Sequence, residues 1–377
     1  MIKRLFALLC VLVLLPLCAI AQEEPTLDDR VVSAFRRFST IGGMVVAAKD
    51  GKIVYSYTYG YANRSQRILA TEDSYWRLAS VSKLVTATAV MRLVETGELN
   101  LDDNLGNIIG GDSPYFAANP KFPTVGITPR MLMSHTSTIW DSYFSTRSPL
   151  RDVLDVTKKV YSSFYKEEPG TVYHYSNYAA GILGCVLEAV TGLRLSDAVS
   201  KLIFDRMDID AAYTPELLDY PENVTSSFSR DYSPEINIDH DYFHSYGGCW
   251  MKGQDLCRIG MMLCDYGVID GQRILEESTV KEMLDSQQGK GGISVDSPYG
   301  LNVMRFKNLV PGKIIYGHQG RSDNVLCHIL FDPETRFAFA MVTNWCEPGE
   351  PTGGVRSPGY TLFKLMWTEF VGEWPKQ

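Results

Sequence analysis

The strand-like segments of this 377-residue chain lie at its two ends, and the helical segments lie between them. Near the start, Gly43–Lys49 and Lys52–Gly60 read as two strands joined by Asp50-Gly51, a strong short signal for a hairpin. Near the end, Gly300–Phe306, Lys313–Gly317, Asn324–Phe331 and Arg336–Thr343 read as strands, and a final helix is expected near Tyr360–Phe370. Between them the pattern predicts helices at Pro129–Ser134, Leu150–Phe164, Tyr178–Thr191, Ser196–Phe204, Asp255–Tyr266 and Glu277–Ser286. A short helix near Val31–Phe38 precedes the first strands, and an apolar helix opening near Ser80 ends before Gly97. This order predicts an α+β fold: one sheet built from both chain ends, with a helical lobe inserted between. The sheet lobe is expected from about 22–104 and 290–377, and the helical lobe from about 105–289.

Residues 1–21 read as a secretory leader. Lys3 and Arg4 precede an apolar run from Leu5 to Leu17, and Ala19-Ile20-Ala21 gives a small-x-small cleavage site before Gln22. The run is shorter than the about 20 residues a membrane span needs. Cys10 and Cys18 each follow a leucine, which speaks against a lipoprotein signal. The expectation is an exported protein of a bacterial periplasm. A formal charge of −8, deepened by loss of the leader, gives no electrostatic reason to bind nucleic acid.

Export permits disulfides, but the six remaining cysteines are badly spaced for them. Cys257 and Cys264 share one helix, about 10 Å apart along its axis, beyond the about 7 Å a disulfide tolerates between Cα atoms. Cys327 and Cys346 flank a hairpin turning at Asp332-Pro333-Glu334-Thr335, which would pair Cys327 with Ala340. Cys185 and Cys249 complete the set, and most are expected to be buried thiols.

Chemistry concentrates at Ser80-Val81-Ser82-Lys83. On a helix, i and i+3 are neighbours, so the Lys83 amine can reach the Ser80 hydroxyl. Serine needs an adjacent base to attack a carbonyl, and an amine buried in an apolar helix can be one. Four residues with two fixed positions recur by chance, and the plainer reading is an N-cap serine beside a solvated lysine. Two further elements tip the balance. Tyr175-Ser176-Asn177 precedes the Tyr178 helix. A phenol near an ammonium should have a lowered pKa and shuttle a proton, and the Asn177 carboxamide can accept from the lysine. Alone, that triplet reads as a turn before a helix. His318-Gln319-Gly320 lies just past the strand Lys313–Gly317, where a glycine lets a substrate carbonyl approach backbone N–H groups.

In this order, Ser-x-x-Lys, Tyr-x-Asn and His-x-Gly resemble the serine β-lactamase and penicillin-binding-protein superfamily, most nearly its class C β-lactamase-related hydrolases. Leu93–Asp103, Ile127–Ser137, Gly247–Leu256 and Tyr299-Gly300-Leu301 are similar to family segments in the same register. The resemblance spans nearly the whole mature chain. It implies a mostly antiparallel sheet flanked by helices, with the site in the cleft beside a helical lobe. It also implies Ser80 as nucleophile, Lys83 as its base and Tyr175 as proton carrier. Asn177 would orient the substrate amide, His318 and Gly320 would line the substrate strand, and the N–H groups of Ser80 and Arg321 would form an oxyanion hole. No metal or organic cofactor is implied.

Two positions depart from the family. Relatives usually carry lysine where His318 stands, followed by threonine or serine, and that ammonium helps hold a substrate carboxylate. Histidine is mostly neutral near pH 7 and Gln319 is uncharged, so Arg321 is the remaining nearby cation. Thr138, in Ser137-Thr138-Ile139, stands where relatives often have glycine.

Other constellations are weaker. His240-x-x-x-His244, beside Asp239 and Asp241, lacks the adjacent glutamate and third ligand of a metal enzyme. His135 is expected to be a hydrogen-bonded structural histidine, and His174 and His328 structural. Gly110-Gly-Asp-Ser-Pro does not follow a strand, and neither G-x-S-x-G nor a Walker-type loop occurs. The reading is thus a serine hydrolase acting on a small ester, amide or peptide, cell-wall fragments and β-lactams included, through an acyl-enzyme. An acyltransferase using the same intermediate and a non-catalytic cell-wall or β-lactam binder are the alternatives.

Overall fold

The N-terminal hairpin and the C-terminal strands join one seven-stranded sheet in the computed structural model, which describes residues 24–110, 118–119, 121–141, 165–227, 244–322 and 325–375. The strands in chain order are β1 (Gly42–Lys49), β2 (Lys52–Asn63), β3 (Ile68–Leu69), β4 (Tyr75–Arg77), β5 (Ala211–Ala212) and β6 (Trp250–Lys252). They continue as β7 (Val268–Ile269), β8 (Gln272–Arg273), β9 (Met304–Phe306), β10 (Ile315–Ser322), β11 (Val325–Asp332) and β12 (Phe337–Thr343). The main sheet runs β3-β2-β1-β12-β11-β10-β9 with every pair antiparallel, so β1 from one chain end lies beside β12 from the other. Asp50 and Gly51 both take positive φ, 52° and 76°, as a two-residue hairpin of this kind requires.

The alternation along these strands builds two cores. Met44, Val46, Ile329, Phe331, Ala340 and Val342 face one side, while Val45, Ala47, Leu330, Phe339 and Met341 face the other. The second side is covered by the helices Leu27–Arg37 and Ser357–Phe370. The first of these opens at a Thr26–Asp29 capping box, four residues before the expected start. On the first side lies the helix Gly253–Cys264, which the sequence assigned to the inserted lobe. Its glycines permit contact: a Cβ at Gly253 would stand 2.7 Å from Met44 Sδ, and one at Gly260 would stand 3.3 Å from Ile329.

Several expectations need correction. His318-Gln319-Gly320 sits inside β10, not beyond its end, because β11 pairs with β10 all the way to Ser322. Cys327 faces Val342 rather than Ala340. The loop between β11 and β12 takes in Arg336 at φ 53°, and Asp332 holds it by accepting from Glu334 N and Thr335 Oγ1. The Gly300–Phe306 strand shrinks to Met304–Phe306, and Ser196–Phe204 splits into a helix, Leu195–Val199, and a wide turn, Ser200–Phe204. The Leu150–Phe164 helix, the leader, most of Gly110–Pro114, and His240 with Asp239 and Asp241 fall outside the described residues. Cys185 and the five buried cysteines are all free thiols. Among the described residues, no single helix is long and apolar enough to cross a membrane.

Behind the sheet the helix Ser82–Glu95 is buried nearly all round, as its even apolar composition requires. Its entry is fixed by β4, which pairs with β6, so that Leu78 N donates to Cys249 O and Cys249 N to Ser82 Oγ. Arg130 ties the other end of the lobe together. Its guanidinium makes a two-point contact with Asp102 at 2.6 and 2.8 Å and reaches Glu282 and Gln287. Replacing it with alanine strips the partners of a buried charge. Arg130→Ala should lower stability by about 2–4 kcal/mol, below the upper end for buried pairs because Asp102 and Glu282 reach solvent; the urea midpoint checks this.

Candidate active site

Ser80 lies on a 3-10 turn, Ala79–Val81, directly before the buried helix. Across this entry to the helix, residues three apart share a face, which sets Lys83 against Ser80. Ala79 takes φ 45°, a conformation costly for any residue with a Cβ, and it aims the turn at β10. The opposing surface is Gly320. A Cβ there would stand 2.4 Å from Leu78 O and 2.8 Å from Ser80 N, so only glycine lets the strand and the turn meet.

Lys83 is fully buried, and its Nζ lies 3.1 Å from Ser80 Oγ, 2.8 Å from Asn177 Oδ1 and 2.8 Å from the Tyr246 carbonyl. It also stands over the ring faces of Tyr175 and Tyr246, at 5.0 and 5.2 Å from their centroids. The Tyr175 phenol is within hydrogen-bond reach of the Ser80 hydroxyl. Contrary to the sequence expectation, its pKa is raised rather than lowered: burial outweighs the Ser80 hydrogen bond, and the nearby Asp141 carboxylate adds to it. Tyr175 is therefore a neutral phenol, a proton donor at rest.

Asn177 opens the helix Asn177–Thr191, and every donor at that end is accounted for. Ser176 N donates to His135 Nδ1, Asn177 N to Asp141 Oδ2, Tyr178 N to Asp141 Oδ1, and Ala179 N to Ser176 Oγ. Asp141 was not singled out from sequence. An aspartate some 35 residues before a helix carries no local capping signal. Tyr246 was missed too, because it acts through its carbonyl, which no side-chain motif reveals.

His135 packs 4.4 Å from the Tyr175 ring and 4.8 Å from Tyr299. Accepting at Nδ1, it carries its proton on Nε2, and burial with the nearby Lys83 charge keeps it neutral far below the usual histidine range. This is the structural histidine expected. Thr138 has φ 62°, which explains why glycine suits this position in relatives. Its hydroxyl accepts from Asn119 Nδ2 and its carbonyl from Tyr165 N.

The alternation of β10 sorts the remaining candidates. His318 pairs with Ile329 and Gly320 with Cys327, both on the Ser80 side, whereas Gln319 pairs with His328 and Arg321 with Leu326 on the far side. His318 is buried at 1 % exposure, and its Nδ1 donates to the Gln319 carbonyl at 2.8 Å. Burial and the Lys83 charge push its pKa down to about 3. Gln319 turns away to bond Gly354 O and Arg356 N. The Arg321 side chain is on the far face near Cys346, so it does not restore the missing cation. Its backbone behaves differently. Leu326 spends its N–H and C=O on Thr343 of β12, so by antiparallel alternation the Arg321 N–H points away from β11. That edge is open, because β9 pairs only as far as Gly317.

A family model described as Beta-lactamase matches residues 29–355. The chain belongs to the β-lactamase family. Penicillin-binding protein 4 of Amycolatopsis lactamdurans is 27% identical over 346 residues, covering 88% of this chain and 86% of the relative. A class C β-lactamase structure superposes with a TM-score of 0.73 at 16% identity, covering 92% of this chain and 97% of that one. EstCE1, a hydrolase with promiscuous acyltransferase activity, gives 0.70 at 19% identity, covering 90% and 98%. As a member of this family of serine hydrolases, the chain has the α+β architecture and antiparallel sheet read from its sequence. Among the described residues no cluster of metal-ligating side chains occurs, and of the His240–His244 pair only His244 is described.

Three imidazoles are buried, His135 and His318 on the Ser80 side of the sheet and His328 on the other. In the unfolded chain each takes a proton near pH 6.5, whereas folded His318 and His328 stay bare down to about pH 3. Stability should therefore fall as pH drops from about 6.5 towards 3, by about 2 kcal/mol per imidazole at pH 5. Ring-proton NMR should show His135, His318 and His328 flat between pH 5 and 8, with His135 protonated on Nε2 and His318 on Nδ1.

Proposed function

We propose that the protein is an exported serine hydrolase that cleaves a small ester or amide through an acyl-enzyme on Ser80. The observation that carries this is the position of Lys83 Nζ, 3.1 Å from Ser80 Oγ and 2.8 Å from two oxygens without protons, Asn177 Oδ1 and Tyr246 O. In the form that acts as base, Lys83 has given up one proton and is an amine with two N–H groups and one lone pair. The two bare acceptors take the N–H groups, and the lone pair is left for the Ser80 O–H.

In the proposed cycle Ser80 Oγ attacks the substrate carbonyl as its proton passes to Lys83. The developing oxyanion lies between the N–H groups of Ser80 and Arg321. Tyr175, held as a phenol, protonates the leaving group and is reprotonated from Lys83. Asn177 holds the substrate's amide or ester group while it accepts from Lys83. Water then attacks the acyl-enzyme with the same groups acting in reverse. His318 shapes the substrate strand through its bond to the Gln319 carbonyl, and Gly320 lets the strand approach. Export rests on the leader at residues 1–21.

The substrate is read as uncharged where family substrates present a carboxylate. His318 is neutral and buried, Gln319 is turned away, and Arg321 lies on the other face. Aromatic rings of Tyr173, Tyr175 and Tyr299, packed about His135, supply an apolar wall. The likeness to a hydrolase with acyltransferase activity supports a second outcome, interception of the acyl group by an alcohol.

A short-chain aryl ester should be turned over and a chromogenic cephalosporin should not, with Ser80→Ala as the blank. Efficient cephalosporin turnover would overturn the uncharged-substrate reading, and a fully active Ser80→Ala would overturn the whole assignment. Tyr175→Phe should lower ester kcat by about 10²–10⁴-fold, the usual worth of a positioned acid. Gly320→Ala, by pushing β10 off Ser80 N, should cost about 10²-fold with the fold retained by circular dichroism.

A further inference from the structure

Asp141 stands at the junction of the two segments that carry the site. It follows the stretch Ser134–Ile139 that supplies His135, and its carboxylate reaches across to the helix that begins with Asn177. Oδ1 accepts from Ser176 Oγ at 2.7 Å and from Tyr178 N at 3.1 Å, while Oδ2 accepts from Asn177 N at 2.8 Å. Three donors from three consecutive residues thus converge on one carboxylate at the positive end of a 15-residue helix. The helix already has a cap of its own: Ser176 Oγ accepts from Ala179 N. Asp141 therefore does more than close the helix. It pins the two residues that flank the Asn177 side chain and the Asn177 backbone itself.

We infer that Asp141 is a positioning residue for the reaction proposed above, acting through Asn177 to hold the Lys83 amine on Ser80. The chain of contacts is continuous: Asp141 Oδ2 to Asn177 N, then Asn177 Oδ1 to Lys83 Nζ at 2.8 Å, then Nζ to Ser80 Oγ at 3.1 Å. Asn177 is the first residue of its helix, where backbone fraying is greatest. Without an outside anchor its carboxamide would swing with the helix end. The amine would then lose the acceptor that turns its lone pair towards Ser80. The inference rests on the acyl-enzyme reading, and it adds a residue that makes no contact with the reacting atoms.

Asp141→Asn separates this role from plain stability. The amide keeps an oxygen for Ser176 Oγ and Tyr178 N but puts an NH2 group against Asn177 N, so the one bond lost is the one that places Asn177. With p-nitrophenyl acetate, kcat should fall on the order of 10-fold to 100-fold, a larger change than any in KM. In an Asn177→Ala background the same substitution should leave kcat nearly unchanged, because its route of action is already gone. Equal losses in both backgrounds, or a kcat matching the parent, would overturn the inference. Should Asp141→Asn fail to fold, Asp141→Glu, which keeps both acceptors but displaces them, is put through the same cycle with the same two readings. Ser80→Ala run alongside keeps the hypotheses apart. If it is inactive, the acyl-enzyme reading stands whatever Asp141 does; if it is active, that reading falls first.

Discussion

A buried amine with three oxygens around it is the constraint from which the rest of this structure follows. Burying an ammonium or amine without partners is prohibitive, so the fold must deliver acceptors to Lys83 from several directions. Ser80 comes from the preceding turn, Asn177 from the start of another helix, and Tyr246 from the segment leading to β6. Each donor element is then locked by neighbours of its own. Gly320 and Ala79 set the turn against the sheet, Asp141 and His135 hold the Asn177 helix, and the β4–β6 pairing carries Tyr246 past the amine.

The same burial decides the charge state of the whole site. Tyr175 stays a phenol, and His135 and His318 stay neutral, because low polarity penalises every charged form and a proton on Lys83 adds to the penalty on an imidazolium. A site arranged this way holds an amine and a neutral phenol beside Ser80, with no cation on the Ser80 face of β10 among the described residues. In a family whose members include penicillin-binding proteins and class C β-lactamases, the serine, lysine and tyrosine lie together here while the strand opposite Ser80 presents a neutral, buried imidazole.

Much of this was legible beforehand because it is local. The Ser80–Lys83 spacing, the Asp50-Gly51 hairpin and the alternating pattern of the C-terminal strands each act over a few residues. Order along the chain then tied Ser-x-x-Lys, Tyr-x-Asn and His-x-Gly to one family. The failures were of another kind. Tyr175 was expected to be acidic because a lysine was nearby, but burial prevails and raises its pKa instead. Arg321 was a candidate cation until the strand register put its side chain on the opposite face from Ser80. Asp141 and the Tyr246 carbonyl carry no signature, since one acts on a helix far along the chain and the other through its backbone.

By itself the sequence determined the elements, the chemistry of their side chains and the order in which they are strung, because hydrophobic period, turn residues and motif spacing are properties of neighbours in the chain. Tertiary structure alone decided which face each residue of β10 presents, how deeply Lys83 and the imidazoles are buried, and which distant carboxylate anchors Asn177. Those depend on register and solvent exclusion, and both are set only when segments remote in sequence are packed against one another.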